Sequence, residues 1–232
     1  MAHGQRDEDT PTAVPTATDP LDDDPRLQEY FGAAWPVLAG FAGLLRRYGA
    51  ERGLIGPNES SRLWERHLLN SAGAAACLPD RGIVVDLGSG AGLPGIVLAA
   101  MRPQVHVVLV EPMERRTDWL DLVAGELQLT NVEVRRGRAE ELVGTLRADV
   151  VTARALSALS NLLRWAAPLV RSGGQLCAIK GSRAAHEVAE AASSAAQYGW
   201  ADVHVKEVET LTGVEVTRIV RAVRKGKAAS VR

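Results

Sequence analysis

Apolar residues recur along this chain with two periods, and the change between them divides it. Over residues 25–50, Leu27, Tyr30, Phe31, Ala34, Trp35, Leu38, Phe41, Leu45 and Tyr48 follow three- and four-residue steps. That spacing lays apolar side chains on one face of a helix, with a break expected near Pro36. Gly49, Gly53, Gly56 and Pro57 end the pattern. Asn58-Glu-Ser-Ser then predicts the start of a second helix, from Arg62 to about Leu78. From residue 83 the pattern becomes strand, helix, strand. Ile83–Leu87, Val105–Val110, Val132–Arg135, Asp149–Ala153 and Gln175–Ile179 are short β-branched or alternating runs. Helical spacing fills residues 94–101, 114–127, 139–146, 157–170 and 183–198. Such alternation predicts a doubly wound α/β fold, a parallel sheet with helices on both faces. The last two runs, Val203–Leu211 and Val214–Val223, meet at Thr212-Gly213. They read as a terminal hairpin that adds an antiparallel strand at the sheet edge.

Charge adds boundaries to this picture. Residues 1–24 hold seven carboxylates against Arg6, so a chain of net charge −1 carries +5 in its remaining residues. The first segment is rich in Pro, Thr, Ala and Asp and predicts a disordered acidic tail. The expected organisation is a tail over 1–24, a helical extension over 25–80, the α/β domain over 81–225, and a basic end over 226–232. A basic body favours a polyanionic partner, although a mixed-charge surface gives the same sum. No run of 18 apolar residues exists, so no membrane span is expected, and no basic-then-apolar leader opens the chain. Cys77 and Cys177 read as small buried hydrophobes in a reducing cytoplasm.

The strongest chemical signal is Asp86-Leu-Gly88-Ser-Gly90-Ala-Gly92-Leu93-Pro-Gly95, after the first strand and opening a helix. Open α/β sheets bind ligands at the carboxyl ends of their strands, and glycines let a ligand lie against bare main chain. Gly90-x-Gly92-x-x-Gly95 matches a dinucleotide fingerprint, and Glu111 ends the second strand 21 positions after Gly90. A nicotinamide enzyme and a methyltransferase both fit that pair. Two features favour S-adenosylmethionine. Asp86 would repel a diphosphate but suits the cationic methionine end, although it also suits a simple turn cap. Gly137-Arg138-Ala139-Glu140, after the third strand, offers main chain and a carboxylate to flank an adenine.

Several pieces then resemble one family, the glucose-inhibited division protein B family of bacterial 16S rRNA guanine-N7 methyltransferases. They are Arg66-His67-Leu-Leu-Asn70-Ser71, the Asp86–Gly95 loop, Gly137–Glu140, Thr152-Ala153-Arg154-Ala155, Ala178-Ile179-Lys180-Gly181 and Arg218. Asn70 departs from the pattern, since the family more often carries Asp there. The resemblance implies a seven-stranded class I (Rossmann-like) S-adenosylmethionine-dependent methyltransferase with an N-terminal helical extension. It implies that Gly88 and Leu93 line the cofactor, that Ala139 and Glu140 hold its adenine side, and that Arg154 closes the site. Asp86, Gly90, Gly92 and Glu111 complete the expected cofactor set, Glu111 accepting ribose hydroxyls. Arg154 and His67 are the candidates nearest the chemistry, with His67 equally readable as a half-buried helical residue. Arg66, Arg138, Lys180, Arg183 and Arg218 are the candidate RNA contacts. The implied partner is 16S rRNA in the small ribosomal subunit or an assembly intermediate, met by a monomer in the cytoplasm without metal or membrane. A small-molecule methyltransferase and an NAD(P)-dependent oxidoreductase are the alternatives.

Overall fold

The computed structural model describes residues 18–56 and 59–225. Most of the expected tail (residues 1–17) and the basic end (226–232) lie outside the described residues. Seven strands form one sheet: β1 (Gly82–Leu87), β2 (Val105–Glu111), β3 (Val132–Arg136), β4 (Ala148–Arg154), β5 (Val170–Lys180), β6 (Trp200–Val208) and β7 (Thr217–Arg224). Their order is β3-β2-β1-β4-β5-β7-β6. β1 to β5 pair in parallel, and β7 runs antiparallel between β5 and β6. The terminal hairpin is therefore present, with its second strand inserted beside β5 and its first strand at the edge.

Strand period and burial agree. Val84, Val107, Leu109, Val150, Cys177 and Ile219 face one core, while Val85, Val108, Val151, Leu176, Ala178 and Val220 face the other. The first core is covered by α1 (Pro25–Phe31), α2 (Trp35–Tyr48), α4 (Gly95–Met101), α5 (Glu114–Glu126) and a helical stretch over residues 60–77. The second is covered by α6 (Leu159–Ala166), α7 (Ala184–Glu190) and α8 (Ala192–Gln197).

Several expected boundaries move, each for a local reason. The first helical stretch breaks at Gly32, at φ +51°, rather than at Pro36, which sits in the first turn of α2 where its missing N–H costs nothing. Residues 60–77 do not keep one pitch. A 3-10 turn (Ser60–Arg62) is followed by a π-helix (Trp64–Leu69), α3 (Asn70–Ala72) and a second 3-10 segment (Gly73–Cys77). The helix expected over 139–146 is one 3-10 turn, Ala139–Leu142, before Gly144 at φ +85°.

The acidic tail also ends earlier than residue 24. Asp19 is buried and accepts the Trp64 backbone N–H at 2.9 Å and that of Leu21 at 3.0 Å. Asp22 accepts the Trp64 indole N–H at 3.1 Å and pairs with Arg46. Asp24 caps α1 through the Arg26 N–H at 2.9 Å. Individual carboxylates thus fasten helix ends within a segment whose composition alone reads as solvated.

Candidate active site

The glycine loop turns back under the end of β2. The N–H groups of Gly88 and Ser89 donate to the Val110 carbonyl at 2.8 and 3.1 Å, and Gly92 N–H donates to Ser89 O at 2.7 Å. Gly88, Gly90 and Gly92 sit at φ +68°, +55° and +98°, where a side chain is strained. The loop rests on both neighbouring layers. The Trp119 indole of α5 donates to Ala91 O at 3.0 Å, and the Phe41 ring of α2 lies beneath Gly92. The Leu93–Pro94 bond is cis.

Asp86 is wholly buried at the end of β1. Its Oδ2 accepts the Gly95 N–H at 3.0 Å, at the start of α4, while Oδ1 has no partner among the described residues. Burial pushes its carboxyl up from the ordinary 3.8 to about 7, against the Ser89 hydroxyl, the Gly95 N–H and the Arg154 charge. In a dinucleotide site the helix-start N–H groups face the diphosphate. Here a carboxylate takes that donor, which counts against the oxidoreductase alternative. A Cβ on Gly95 would lie 2.1 Å from Leu109 Cδ2 and 2.7 Å from Asp86 Oδ2, so only glycine permits this contact.

Glu111 is equally committed and nearly as buried. Its Oε2 accepts the Gly90 N–H at 3.0 Å and its Oε1 accepts the Met113 N–H at 3.1 Å. Arg116 approaches Oε2 at 3.8 Å, and the lone pairs left over by the two N–H groups match a vicinal diol. Beyond it lies a cavity of about 110 Å³ lined by Leu87, Gly88, Val110, Pro112, Gly137–Glu140, Leu156 and Trp165.

A larger cleft of about 880 Å³ opens on the other side of Leu156, which borders both spaces. Arg154 is among the residues that line it. One guanidinium nitrogen donates to Arg66 O at 3.1 Å, and the other meets His67 Nδ1 at 3.0 Å. His67 Nε2 lies 2.7 Å from Glu59 Oε2. Burial holds the Arg154 pKa down to about 10, while Asp86 and Glu59 oppose the drop. Burial and the Arg154 charge likewise hold His67 below its usual 6.5, against the pull of Glu59.

The expected residues divide into groups. Gly88, Ala139 and Glu140 line the smaller cavity, with Glu111 and Gly90 hydrogen-bonded beside it and Asp86 beneath the loop. Leu93 is 3% exposed and its side chain packs in the core beneath the loop, apart from the residues that line the smaller cavity. Gly92 likewise packs inward, against Ile96, Leu120 and Phe41. Arg66, Asn70, Arg154, Lys180, Arg183 and Arg218 all border the cleft. Lys180, one of the expected phosphate contacts, is already engaged within the chain. Its ammonium is committed to Ser157 O at 2.6 Å and Glu187 Oε2 at 2.7 Å, pinning the loop after β4. Arg218 is held by Glu207 and Glu215, each at 3.0 Å. Arg138 and Arg183 are exposed and form no ion pair among the described residues. Sequence reasoning missed Glu59, Leu156 and Trp165. Glu59 precedes its helix without a motif, Trp165 reads as one more amphipathic position, and Leu156 carries no pattern at all. Its signal was proximity to Arg154.

The fold and site have known relatives. The family model for rRNA small subunit methyltransferase G (GidB) matches residues 36–214, more than half the chain. A ribosomal RNA small subunit methyltransferase G of Thermobifida fusca is 54% identical over 164 residues, covering 71% of this chain and 69% of that protein. One from Beutenbergia cavernae is 50% identical over 187 residues, covering 78% and 88%. Among solved structures, an S-adenosylmethionine-dependent O-methyltransferase of Thermotoga maritima aligns with a TM-score of 0.53 at 13% identity, over 73% of this chain and 71% of that one. At that identity the likeness speaks for the fold alone. The family match and the relatives agree, and the chain belongs to the rRNA small subunit methyltransferase G (GidB) family.

Proposed function

We propose that this chain transfers a methyl group from S-adenosylmethionine to N7 of a guanine in 16S rRNA. The observation that carries the cofactor reading is the buried Asp86, with one carboxylate oxygen on the helix start and the other unpartnered. A cationic amine nearby would satisfy that oxygen and offset the cost of ionising it. Glu111 would accept the ribose hydroxyls. The cavity between Gly88 and Glu140 suits a flat base, and a Cβ on Gly88 would crowd it, lying 2.4 Å from Leu156 Cδ1. When bound, S-adenosylmethionine supplies its methyl as an electrophile on sulfonium sulfur.

Guanine N7 carries an in-plane lone pair and is unprotonated at neutral pH. No proton must leave before attack, so no general base is required. His67, tied on both ring nitrogens, is accordingly not offered as one. What the chain must do is hold N7 in line with the methyl, about 3–3.5 Å away. The larger cleft, beside Leu156 and Arg154, is the place for that base. Because side chains cannot reach N7 within an A-form major groove, the target belongs to a loop or an opened junction. Exposed Arg66, Arg138 and Arg183 would grip flanking phosphates. The test is transfer from labelled S-adenosylmethionine to small-subunit RNA, followed by digestion to nucleosides. Label in 7-methylguanosine is the expected result. Label on ribose, on another base, or on no RNA overturns the reading.

A further inference from the structure

We propose that His67 is a positioning residue: its unprotonated Nδ1 holds the Arg154 guanidinium beside the cleft, and Glu59 fixes the tautomer that makes this possible. The inference deepens the methyl-transfer reading and rests on it.

The two partners of the ring fix its protonation by what each can donate or accept. Glu59 Oε2, 2.7 Å from Nε2, is a carboxylate oxygen and accepts, so Nε2 carries the proton. The Arg154 nitrogen, 3.0 Å from Nδ1, only donates, so Nδ1 presents its lone pair. Only the neutral Nε2–H ring satisfies both neighbours. A second proton would set two donors face to face and add a positive charge beside Arg154.

The groups facing His67 act in opposite directions. Glu59 favours protonation, while Arg154 from β4, Arg66 from the same helical stretch, and burial all oppose it. His67 is 8% exposed and does not line the large cleft, so it acts on the cleft through Arg154. The π-helix Trp64–Leu69 carries both acceptors that Arg154 uses, Arg66 O and His67 Nδ1. The helical extension thereby sets the direction of a side chain that the sheet supplies. Asp86, at the end of β1 beneath the glycine loop, acts on the same guanidinium through its charge, so Arg154 joins the cleft to that strand end electrostatically.

Two measurements test this independently of each other. Two-bond proton–nitrogen NMR on histidine-labelled protein reads the tautomer without any activity. His67 should show the neutral Nε2–H form at pH 7 and titrate below 6.5, and Glu59→Gln should move that titration lower still. A charged ring at pH 7, an Nδ1–H tautomer, or a titration unmoved by Glu59→Gln overturns the proposal. In methyl transfer to small-subunit RNA, His67→Phe should lower kcat by about tenfold or more, the scale of one lost hydrogen bond to a charged group. His67→Asn, whose amide oxygen accepts where Nδ1 did, should restore most of that loss and flatten the acid limb of the pH profile. Equal kcat in wild type and His67→Phe, or no recovery with Asn, overturns it. If wild type transfers no methyl to RNA, the functional reading fails while the NMR result still decides the geometry.

Discussion

At the scale of single residues, the site is built from polar groups placed where burial makes them costly. Asp86 shows the consequence. Its folded value of about 7 lies above the ordinary 3.8, so the fold favours the neutral acid. The stability tied to it is whole below pH 4 and is lost as pH rises toward 7. The gap corresponds to at most about 4 kcal/mol. Urea midpoints of ligand-free wild type and Asp86→Asn should therefore diverge between pH 5 and pH 8, with wild type losing about 2–3 kcal/mol more. Parallel pH dependences would contradict that. A cationic ligand beside Asp86 favours its ionised form, so S-adenosylhomocysteine binding near pH 6.5 should release a proton. Calorimetry in two buffers of different ionisation heat reads this directly. Residue chemistry was partly legible in the sequence. Asp86 and Glu111 stood out because each ends a strand near a glycine turn. The burial of Leu93 was not legible, because nothing in the loop's spacing shows that its side chain turns into the core. The Lys180 pairing was not legible, because its carboxylate, Glu187, lies on the following helix, where no motif links the two.

At the scale of elements, the loop, the extension and the sheet depend on one another. Gly95 lets α4 start directly against Leu109 and Asp86. Gly95→Ala should cost about 1–3 kcal/mol through overpacking and weaken ligand binding with it. Denaturant melts compared with and without S-adenosylhomocysteine check both effects. Asp19 holds the N–H of Trp64 at the start of the π-helix. Asp19→Ala leaves that buried donor unsatisfied and should lower stability by about 1–3 kcal/mol, visible as an earlier urea midpoint. The alternating strands and helices were readable from period alone, because each strand of the sheet centre is buried on both faces. The pitch changes over residues 60–77 were not readable. Trp64 meets Asp19, His67 meets Arg154 of β4 and Asn70 meets Thr217 of β7 along this stretch, long-range contacts that local spacing does not encode. The boundary of the acidic segment failed for a similar reason, since composition averages over Asp19, Asp22 and Asp24 while the fold uses each one separately.

At the scale of the whole molecule, a chain close to neutral divides into an acidic first segment and a basic remainder. The cleft inherits that basic character only in part, because Arg66, Lys180 and Arg218 each face carboxylates of their own. RNA affinity should fall with salt, and Arg183→Ala should lower the log–log slope by about 1 while weakening all RNA sequences alike. An unchanged slope would remove Arg183 from the interface. The sheet order places the glycine loop, Glu111, the Gly137–Glu140 turn and Arg154 at the carboxyl ends of four neighbouring strands, β1 to β4. That convergence is what the account rests on. A crystal structure with S-adenosylhomocysteine tests it most directly. The expected density has its amino group at Asp86, its ribose at Glu111 and its base between Gly88 and Glu140. Density at another part of the sheet, or a vacant mouth at saturating ligand, would contradict it.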